Sequence, residues 1–287
     1  MPNYNKSKHV SKAIESVQAQ SLGDFELLVV DDASTDDSPQ IVEEKSKGDS
    51  RVSLVEQPIR RGASHCRNVG IQHSRAKTIA FLDSDDVYAP GALMTMSRAL
   101  EIPPSPGVVY SDYWLLDGSD RTLPRWPRSC TRSGMIFKEL LVNEMPVQAN
   151  LMIPREVIDK VGLFDESISW GEDTDMIFRL AQIYPFKYVD EQLYGYRLYE
   201  GNTWNRMSNW QRQAMKAPII ERYFRANIRA LDRETRRIVD RQLVERYLES
   251  RRYRKAMAIA ASSPGLFVQY LRLVRKRLFS KTFREGV

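Results

Sequence analysis

The chain has 287 residues, 42% of them hydrophobic, which is enough to bury a full core in one domain with an appendage. No apolar run approaches the roughly 18 to 20 residues of a transmembrane helix, and the N-terminal residues lack the apolar segment of a signal peptide. Two cysteines and three scattered histidines exclude a disulfide framework and a His-rich zinc site. A cytoplasmic, reducing location is therefore expected.

The net charge of +6 is distributed unevenly along the chain. Residues 205–287 carry 21 Lys and Arg against 7 Asp and Glu, a balance of +14, whereas residues 1–204 carry 22 against 30, a balance of −8. We therefore predict an acidic domain over residues 1–204 and a basic helical region over residues 205–287. A basic tail of this kind suits an anionic surface.

Apolar spacing predicts strands and helices that alternate through the first 110 residues. We expect helices over 8–20, 38–47, 62–74 and 90–100, and strands over 25–30, 52–55, 78–82 and 108–110. Such alternation is typical of a doubly wound sheet with helices on both faces. After residue 112 we expect a loop over 117–134, strands near 147–153, 188–189 and 194–199, and helices over 154–161 and 172–183. Beyond residue 204 nearly all of the chain is predicted to be helical.

Two of the predicted strands end in acidic clusters, Asp31-Asp32 and Asp83-Ser84-Asp85-Asp86. Ligands bind at the carboxyl ends of strands in open α/β sheets. Carboxylates grouped there are costly to hold together unless a cation or hydrogen-bond donors share the site. A divalent metal that carries a nucleotide diphosphate meets this requirement, so nucleotide binding is predicted. The alternative is that each cluster caps the turn or helix that follows it.

Five motifs occur in a specific order and spacing: Pro2-x-Tyr4-Asn5, Val30-Asp31-Asp32-Ala33-Ser34-Thr35-Asp36, Arg67-Asn68, Leu82-Asp83-Ser84-Asp85-Asp86 and Gly171-Glu172-Asp173. Through these motifs residues 2–204 resemble the family 2 glycosyltransferases. Those enzymes have the GT-A fold, a doubly wound mixed sheet, and include the SpsA-like nucleotide-diphospho-sugar transferases. Two acids two residues apart are commonplace on protein surfaces, so the joint order of the motifs carries the resemblance.

The resemblance implies an inverting, metal-dependent transferase with a nucleotide-diphosphate sugar, expected to be a UDP-sugar, as donor. Tyr4, which follows Pro2 in the first motif, would stack on a uracil-like base, and Asp32 would accept the imide N–H of that base. Arg67 would meet a phosphate with its charge and its fork of donors. Arg197 would cover the phosphate as well. The structural alternative for Arg67 is an ion pair with a nearby carboxylate.

The same resemblance implies the roles of the remaining acids. Asp83 and Asp85 would bind the donor, and Asp85 and Asp86 would hold Mg²⁺ or Mn²⁺, which select hard oxygen ligands. Asp173 would be the catalytic base that takes the proton of the acceptor hydroxyl. The structural alternative is that Glu172 and Asp173 only stabilise a helix N-terminus through the helix dipole.

The sequence departs from the family pattern at two places. Met1 directly precedes Pro2, so the first central strand of the sheet is missing, and we expect the true start codon to lie upstream. Many relatives have a histidine near the position of Tyr199, where it can assist with the diphosphate or the metal. Tyrosine is a poor ligand for Mg²⁺ or Mn²⁺ at neutral pH because its pKa is near 10.

The basic tail contains a helix whose apolar residues fall on or near one face: Leu266, Tyr270, Leu273, Val274 and Leu278. This pattern favours a peripheral contact of residues 264–284 with the inner face of the cell membrane. The alternative is a helix that packs on its neighbour over 245–260. The expected acceptor is a glycan or a lipid-linked glycan in polysaccharide biosynthesis, and no nucleic acid is expected. Two further alternatives are a non-catalytic binder of nucleotide sugars or glycans and a basic protein that binds membrane surfaces.

Overall fold

The structure is a computed structural model that describes residues 1–124, 131–142, 150–262 and 264–282. The chain forms two compact units: Met1–Phe137 with Met145–Asn205, and Lys138–Glu144 with Arg206–Val287. The strands are β1 (Pro2–Asn3), β2 (Leu27–Asp31), β3 (Val52–Glu56), β4 (Thr78–Ala80), β5 (Val87–Tyr88), β6 (Val108–Asp117), β7 (Thr122–Leu123), β8 (Leu151–Pro154) and β9 (Phe186–Leu198). The helices are α1 (Val10–Gln18), α2 (Ser38–Gly48), α3 (Ala63–His73), α4 (Ala92–Leu100), α5 (Phe137–Leu141), α6 (Arg155–Val161), α7 (Glu172–Ala181), α8 (Thr203–Arg206), α9 (Asn209–Asn227), α10 (Arg233–Glu249), α11 (Tyr253–Ala260) and α12 (Pro264–Thr282).

The strands of the first unit form two hydrogen-bonded sheets. Strands β1, β2 and β3 make a parallel sheet in that order, and the other six make a mixed sheet in the order β4-β8-β6-β9-β5, with β7 on β6. In the mixed sheet β6 and β9 are parallel, whereas β8 is antiparallel to both of its neighbours. The predicted α/β class with a helical C-terminal region is confirmed. The sheet, however, is divided in two where one continuous sheet was expected.

The first strand is shortened to two residues instead of being missing. Pro2 lies opposite Val30 in parallel register, and the Asp32 N–H donates to the Asn3 carbonyl at 2.8 Å. Within the described residues β1 pairs only with β2. No ladder in that part of the chain therefore joins β2 to β4.

Helices cover both faces of the small parallel sheet, as the continuous apolar run of β2 predicts. Val29 belongs to the main core, which includes buried residues of α1, α2 and α4. Its neighbour Val30 points to the opposite face and packs against Cys66 and Val69 of α3. Successive strand residues alternate in direction, so a continuous apolar run indicates burial on both sides.

Strand β9 runs unbroken over 13 residues, although the sequence suggested two short extended pieces. It follows β6 in parallel with register shifts around Asp112, and it reaches the acidic turn that follows β4. A Cβ at Gly195 would lie 2.6 Å from the Trp114 ring, so only glycine fits there. The predicted strand at 147–153 is seen from Leu151, and residues 147–149 lie outside the described part of the chain, as do 125–130 of the predicted loop.

The described part of the second unit is helical, as predicted. Asp232 caps α10 by accepting the backbone N–H of Thr235 at 2.8 Å, which satisfies one of the free donors at a helix start. Helix α12 packs on α10 and α11 with the face that the sequence assigned to a membrane: Leu266 is buried, and Tyr270, Leu273 and Val274 are half-buried. The packing alternative therefore applies to this face, while the side chain of Leu278 lies outside the described residues.

A different set of apolar side chains is exposed on α12. Phe267, Val268 and Leu271 are 40 to 50% exposed, and Arg272 and Arg275 are exposed at neighbouring helical positions. None of the helices, within the described residues, is both long and apolar enough to cross a membrane.

Candidate functional site

The first acidic turn begins with Asp31, at the end of β2. Its Oδ1 accepts from the Asn3 amide at 2.6 Å and from the Ser34 hydroxyl at 2.6 Å, and its Oδ2 accepts from the Ser34 backbone N–H at 2.8 Å. The side chain is buried, and all of these donors are uncharged. Asp31 therefore closes the turn, which is the capping role that the sequence left open for this pair.

The next residue, Asp32, binds the start of α3. Its two oxygens accept the backbone N–H groups of Arg61 at 2.7 Å and Gly62 at 2.8 Å. A carboxylate has about four lone-pair directions, so Asp32 keeps acceptor capacity for a further donor such as an imide. Burial, assisted by the Asp32 carboxylate, raises the pKa of the Cys66 thiol to about 12. Cys66 is therefore an unreactive core thiol.

Tyr4 lies beside this turn, and its ring has a partner that the sequence did not indicate. The Arg60 guanidinium lies 3.9 Å from the centroid of the Tyr4 ring. The neighbouring Asn5 N–H donates to the Ser34 hydroxyl at 2.9 Å, which ties the first motif to the second. Pro2 is half-buried in β1 and serves the backbone of this segment. A base that stacks on this ring would share or replace the place of Arg60.

Arg67 joins two of the sequence motifs through its guanidinium. Its Nη2 donates to Asp83 at 2.8 Å and its Nη1 donates to Glu172 at 2.7 Å, across 105 residues of sequence. Although burial disfavours the charged form, the two carboxylates raise the pKa of Arg67 above its ordinary value. The side chain is buried and doubly paired, which favours the ion-pair alternative over the predicted contact with a phosphate.

The second acidic turn follows β4, and Asp85 is at its centre. The Lys6 ammonium donates to Oδ2 of Asp85 at 2.5 Å, and the Tyr199 hydroxyl donates to the same oxygen at 2.9 Å. The Tyr199 ring in turn lies 4.6 Å from the His9 ring, measured between centroids. Tyr199 thus binds the acidic turn with its hydroxyl.

Arg197 fixes the backbone of the same turn. Its Nε donates to the Asp85 carbonyl at 2.6 Å, and its Nη1 donates to the Asp117 carbonyl at 3.2 Å and to the Asp120 carboxylate. The side chain is wholly buried, and burial lowers the pKa of Arg197. This placement favours a structural role and does not favour the predicted contact with a donor phosphate.

Asp86 is buried at the end of the turn, with both oxygens engaged. The Tyr194 hydroxyl donates to Oδ2 at 2.7 Å, and the Arg197 backbone N–H donates to Oδ1 at 2.8 Å. Burial, with the charges of Asp85 and Asp83 nearby, raises the pKa of Asp86 well above its ordinary range. Asp86 therefore anchors the turn to β9, and the predicted metal-ligand role is less favoured for it than for the more open Asp83.

Asp173 lies in the first turn of α7, after Gly171, which adopts a positive φ of 85°. Its Oδ1 accepts from the backbone N–H of Thr174 at 2.6 Å and from the Thr174 hydroxyl at 3.3 Å. Asp173 and the neighbouring Glu172 are both half-buried, and Glu172 is paired with Arg67. Within the described residues, Glu172 has an ion pair with Arg67 and Asp173 has no ion pair.

The acids of the last two motifs influence the same aromatic side chain electrostatically. Burial, together with the nearby carboxylates of Asp86, Asp85, Asp83 and Asp173, raises the pKa of the Tyr196 phenol. The charges of these four acids therefore all act on one phenol of β9. Sequence reasoning did not assign roles to Tyr194, Tyr196 or Lys6. The only signal for the two tyrosines was their spacing of two residues, which puts both on one face of a strand.

The acidic turn can supply only part of the ligands of a divalent ion. Asp83 gives one oxygen to Arg67, and Asp85 gives one to Lys6 and Tyr199, so each carboxylate has a second oxygen. Across the described ranges no three His, Cys, Asp or Glu side chains converge into a cluster that could hold a metal. Two carboxylates with donor phosphates and waters are a usual Mg²⁺ environment, so the residues fit an ion that is completed by a bound diphosphate.

Comparison with known proteins agrees with this architecture. The model of the family "Glycosyl transferase family 2" matches residues 1–162, so the chain belongs to this family. An uncharacterised glycosyltransferase of Nostoc sp. is 28% identical over 72% of this chain and 65% of its own length. The chondroitin synthase of Escherichia coli is 28% identical over 71% of this chain and 29% of its own length. The chain therefore spans less than two thirds of the length of these two relatives.

A shorter match covers 42% of this chain and 46% of an E. coli UDP-Glc:α-D-GlcNAc-diphosphoundecaprenol β-1,3-glucosyltransferase, at 34% identity. Two solved structures share the fold. One is Staphylococcus aureus TarS 1–349 in complex with UDP-GlcNAc, with a TM-score of 0.66, 19% identity and coverage of 86% of this chain and 70% of TarS 1–349. The other is the Pyrobaculum calidifontis mannosyltransferase PcManGT in complex with GDP-Man and Mn²⁺, with a TM-score of 0.59, 17% identity and coverage of 96% and 79%.

Proposed function

We propose that the chain transfers a sugar from a nucleotide-diphosphate donor to a hydroxyl of a glycan acceptor. The observation that carries the proposal is the Arg67 bridge, which brings the Asp83 turn to the segment that contains Asp173. Carboxylates suited to a diphosphate and its ion thus lie near Asp173, which has no ion pair in the part of the chain that the structure describes. A displacement at a sugar carbon requires both kinds of group: one stabilises the leaving diphosphate, and the other takes the proton of the attacking hydroxyl.

In the proposed reaction Asp173 is the general base. The acceptor oxygen attacks the anomeric carbon from the face opposite the nucleotide, and the proton of the hydroxyl passes to the Asp173 carboxylate. The bond between the anomeric carbon and the donor phosphate oxygen breaks, and its electron pair leaves with the diphosphate. One displacement of this kind inverts the anomeric configuration. Glu172 is not the base because Arg67 engages it.

The proposed donor is a UDP-sugar. Tyr4 offers a ring face and Asp32 an acceptor for the imide N–H of uracil, which cytosine does not have. Support comes from TarS, a structural neighbour that was solved with UDP-GlcNAc and with UDP. Arg60 is already at the Tyr4 ring, so we propose that it stays beside the base or moves aside when the base enters.

The proposed cofactor is Mg²⁺ or Mn²⁺ on Asp83 and Asp85, each with the oxygen that no protein cation uses. When bound, the ion would neutralise the charge that develops on the leaving diphosphate. The structural neighbour PcManGT, which was solved with GDP-Man and Mn²⁺, supports this proposal. Asp86 positions the turn by its bonds to β9.

A thermal-shift panel tests the donor and the ion together. The full chain is heated with UDP-Glc, UDP-GlcNAc or GDP-Man, in Mn²⁺ and in EDTA. We expect one UDP-sugar to raise the melting temperature by several degrees in Mn²⁺ and by much less in EDTA, since a ligand stabilises the state that binds it. Absence of a shift with any nucleotide sugar would defeat the proposal. A protein that binds a donor but neither hydrolyses nor transfers the sugar would be the non-catalytic alternative.

The acceptor is proposed to be lipid-linked, and the outer face of α12 to contact an anionic membrane. Three exposed apolar residues, Phe267, Val268 and Leu271, lie beside exposed arginines in a region with a net charge of +14. Apolar insertion with basic flanks is the chemistry of an interfacial helix. The E. coli relative that is named for a diphosphoundecaprenol acceptor supports a lipid-linked substrate.

Liposome flotation tests the membrane contact on the full chain. The triple variant Phe267→Ser, Val268→Ser, Leu271→Ser removes the exposed apolar groups and leaves the packed face of α12 intact. We expect it to bind vesicles with 30% phosphatidylglycerol at least tenfold more weakly than the wild type. Ile183→Ser, which removes another exposed apolar residue outside this helix, is the matched control. Equal binding of the triple variant and the wild type would remove the membrane proposal.

A further inference from the structure

Lys6 lies in the loop between β1 and α1, one residue beyond the first motif, and its ammonium is built into the acidic turn. It donates to Asp85 Oδ2 at 2.5 Å and to the Tyr199 hydroxyl at 2.5 Å, and Tyr199 donates to the same Asp85 oxygen. The three groups form a closed triangle from segments 79 and 193 residues away from Lys6. Only 20% of the Lys6 side chain and 15% of the Asp85 side chain are exposed.

The ammonium is charged in this setting. A lysine is protonated at neutral pH, and both partners of this ammonium, the Asp85 carboxylate and the Tyr199 hydroxyl, lie at hydrogen-bond distance. The Tyr199 hydroxyl is fixed as well, since its ring packs on His9. Asp85 therefore has a resident cation before any ligand arrives.

A resident cation has a consequence for the divalent ion. Lys6 uses one oxygen of Asp85, and its positive charge repels a second cation at the remaining oxygen, most strongly in a site that is partly shielded from water. A lysine on a flexible stem can change partners when a stronger anion comes within reach. A diphosphate is such an anion.

We propose that Lys6 is a positioning residue that holds Asp85 in the absence of donor and moves to the donor diphosphate when the donor binds. Asp85 then becomes available to Mg²⁺ or Mn²⁺ only when a nucleotide diphosphate is present to receive the ammonium. The inference rests on the proposed function, because it assigns the order of binding at the same site. Tyr199 takes part because its hydroxyl lies next to both groups.

Direct binding of Mn²⁺ tests this order without measuring turnover. Free Mn²⁺ is followed by electron paramagnetic resonance in titrations of the wild type and Lys6→Met, with and without UDP. Without UDP we expect Lys6→Met to bind Mn²⁺ at least tenfold more tightly than the wild type, since Asp85 has lost its competitor. UDP should strengthen Mn²⁺ binding to the wild type at least tenfold. It should strengthen Mn²⁺ binding to Lys6→Met much less. In EDTA the variant should bind UDP more weakly.

Three further variants separate the causes. Lys6→Arg keeps the cation and should bind Mn²⁺ as the wild type does. Lys45→Met removes an ammonium that pairs with Glu15, and it should also match the wild type. If Lys6→Met does not fold, Tyr199→Phe provides the second measurement, because losing one of the two ammonium partners should also strengthen Mn²⁺ binding without UDP.

The outcomes distinguish the inference from the proposed function. Equal Mn²⁺ affinity of the wild type and Lys6→Met without UDP, with normal binding of UDP and Mn²⁺ together, would overturn the role of Lys6 alone. If the wild type binds neither UDP nor Mn²⁺ in the presence of the other, the proposed function fails, and the inference fails with it.

Discussion

The acidic turn after β2 and the acidic turn after β4 both end an apolar strand, but their carboxylates have different partners. Asp31 and Asp32 accept from an amide, a hydroxyl and backbone N–H groups. Asp83 and Asp85 accept instead from the guanidinium of Arg67 and the ammonium of Lys6. The first turn thus binds backbone and uncharged side-chain donors, with the Arg60 guanidinium more distant, at 4.0 Å from Asp32, whereas the second is bound directly by charged side chains that a ligand could compete for. Acids with the same position in a sheet can therefore serve folding or chemistry.

The largest effect should come from Asp173, next to the second turn. Asp173→Asn removes the proposed base and keeps the size of the side chain, so we expect the rate of sugar transfer to fall about 10³-fold, within the range of general-base contributions. The measurement is release of UDP from the donor identified in the thermal-shift panel, in the presence of an acceptor.

Two observations complete this test. Melting temperature and UDP affinity should be nearly unchanged in Asp173→Asn, because no cation among the described residues forms an ion pair with this carboxylate. Asp159→Asn, on the exposed side of α6, is the matched control and should transfer sugar at the wild-type rate. If Asp173→Asn transferred sugar at the wild-type rate, the base would have to be another residue. The second turn would then have no catalytic base beside it at position 173.

The Arg67 bridge should give the next largest effect, this time on stability. Arg67→Met leaves Asp83 and Glu172 without their shared cation, and breaking a buried ion pair costs about 3 to 5 kcal/mol. Since a third of the Asp83 side chain is exposed, we expect a loss near the lower value of about 3 kcal/mol in urea unfolding. Arg75→Met removes a fully solvated arginine that lies 3.8 Å from Glu26, and it should change the unfolding free energy by less than about 1 kcal/mol. Equal losses in both variants would contradict the bridge.

The sequence predicts the elements better than it predicts the partners. The alternating strands and helices and the two acidic ends follow from local periodicity and from the strand-end rule, so they are accessible without coordinates. The partner of Arg67 is not, since Glu172 lies 105 residues away and only the fold brings the two together. The same holds for Lys6 and Tyr199, which are 193 residues apart. Motif order placed the acids near one another but could not say which of them already has a cation.

The division of the sheet was not predictable for a related reason. Strand β1 has only two residues to pair, and backbone pairing depends on which neighbour those residues reach. The apolar content of β2 and β4 is the same whether or not a ladder connects them, because side chains point above and below a sheet and a backbone ladder does not change their burial. The composition of the strands therefore predicts that they lie in a sheet layer, but not whether backbone hydrogen bonds join them into one continuous sheet.

A pair of variants compares the two turns directly. Asp31→Ala removes the acceptor for the Asn3 amide and for Ser34, and donors left without a partner cost about 1 to 3 kcal/mol. We expect a loss of about 2 kcal/mol in urea unfolding for Asp31→Ala. Asp83→Asn keeps an oxygen for Arg67, so its stability should change less, while its affinity for UDP in Mn²⁺ should fall at least tenfold. If Asp83→Asn lost stability but kept its affinity for UDP in Mn²⁺, the second turn would serve folding in the same way as the first.

The smallest effect is expected at Gly62, where the backbone itself binds Asp32. Gly62 has φ 95° and ψ 169°, a conformation that side chains other than glycine rarely adopt, and a Cβ there would meet no atom within 4 Å. Gly62→Ala should therefore lose about 1 kcal/mol through backbone strain alone, measured by urea unfolding. Gly48→Ala, at the end of α2 and equally free of contacts, has no such strain and should be neutral or slightly stabilising. Because the Gly62 N–H donates to Asp32, the strain should also weaken UDP binding by a few fold. If Gly62→Ala binds UDP as the wild type does, the first turn contributes to folding without orienting the base.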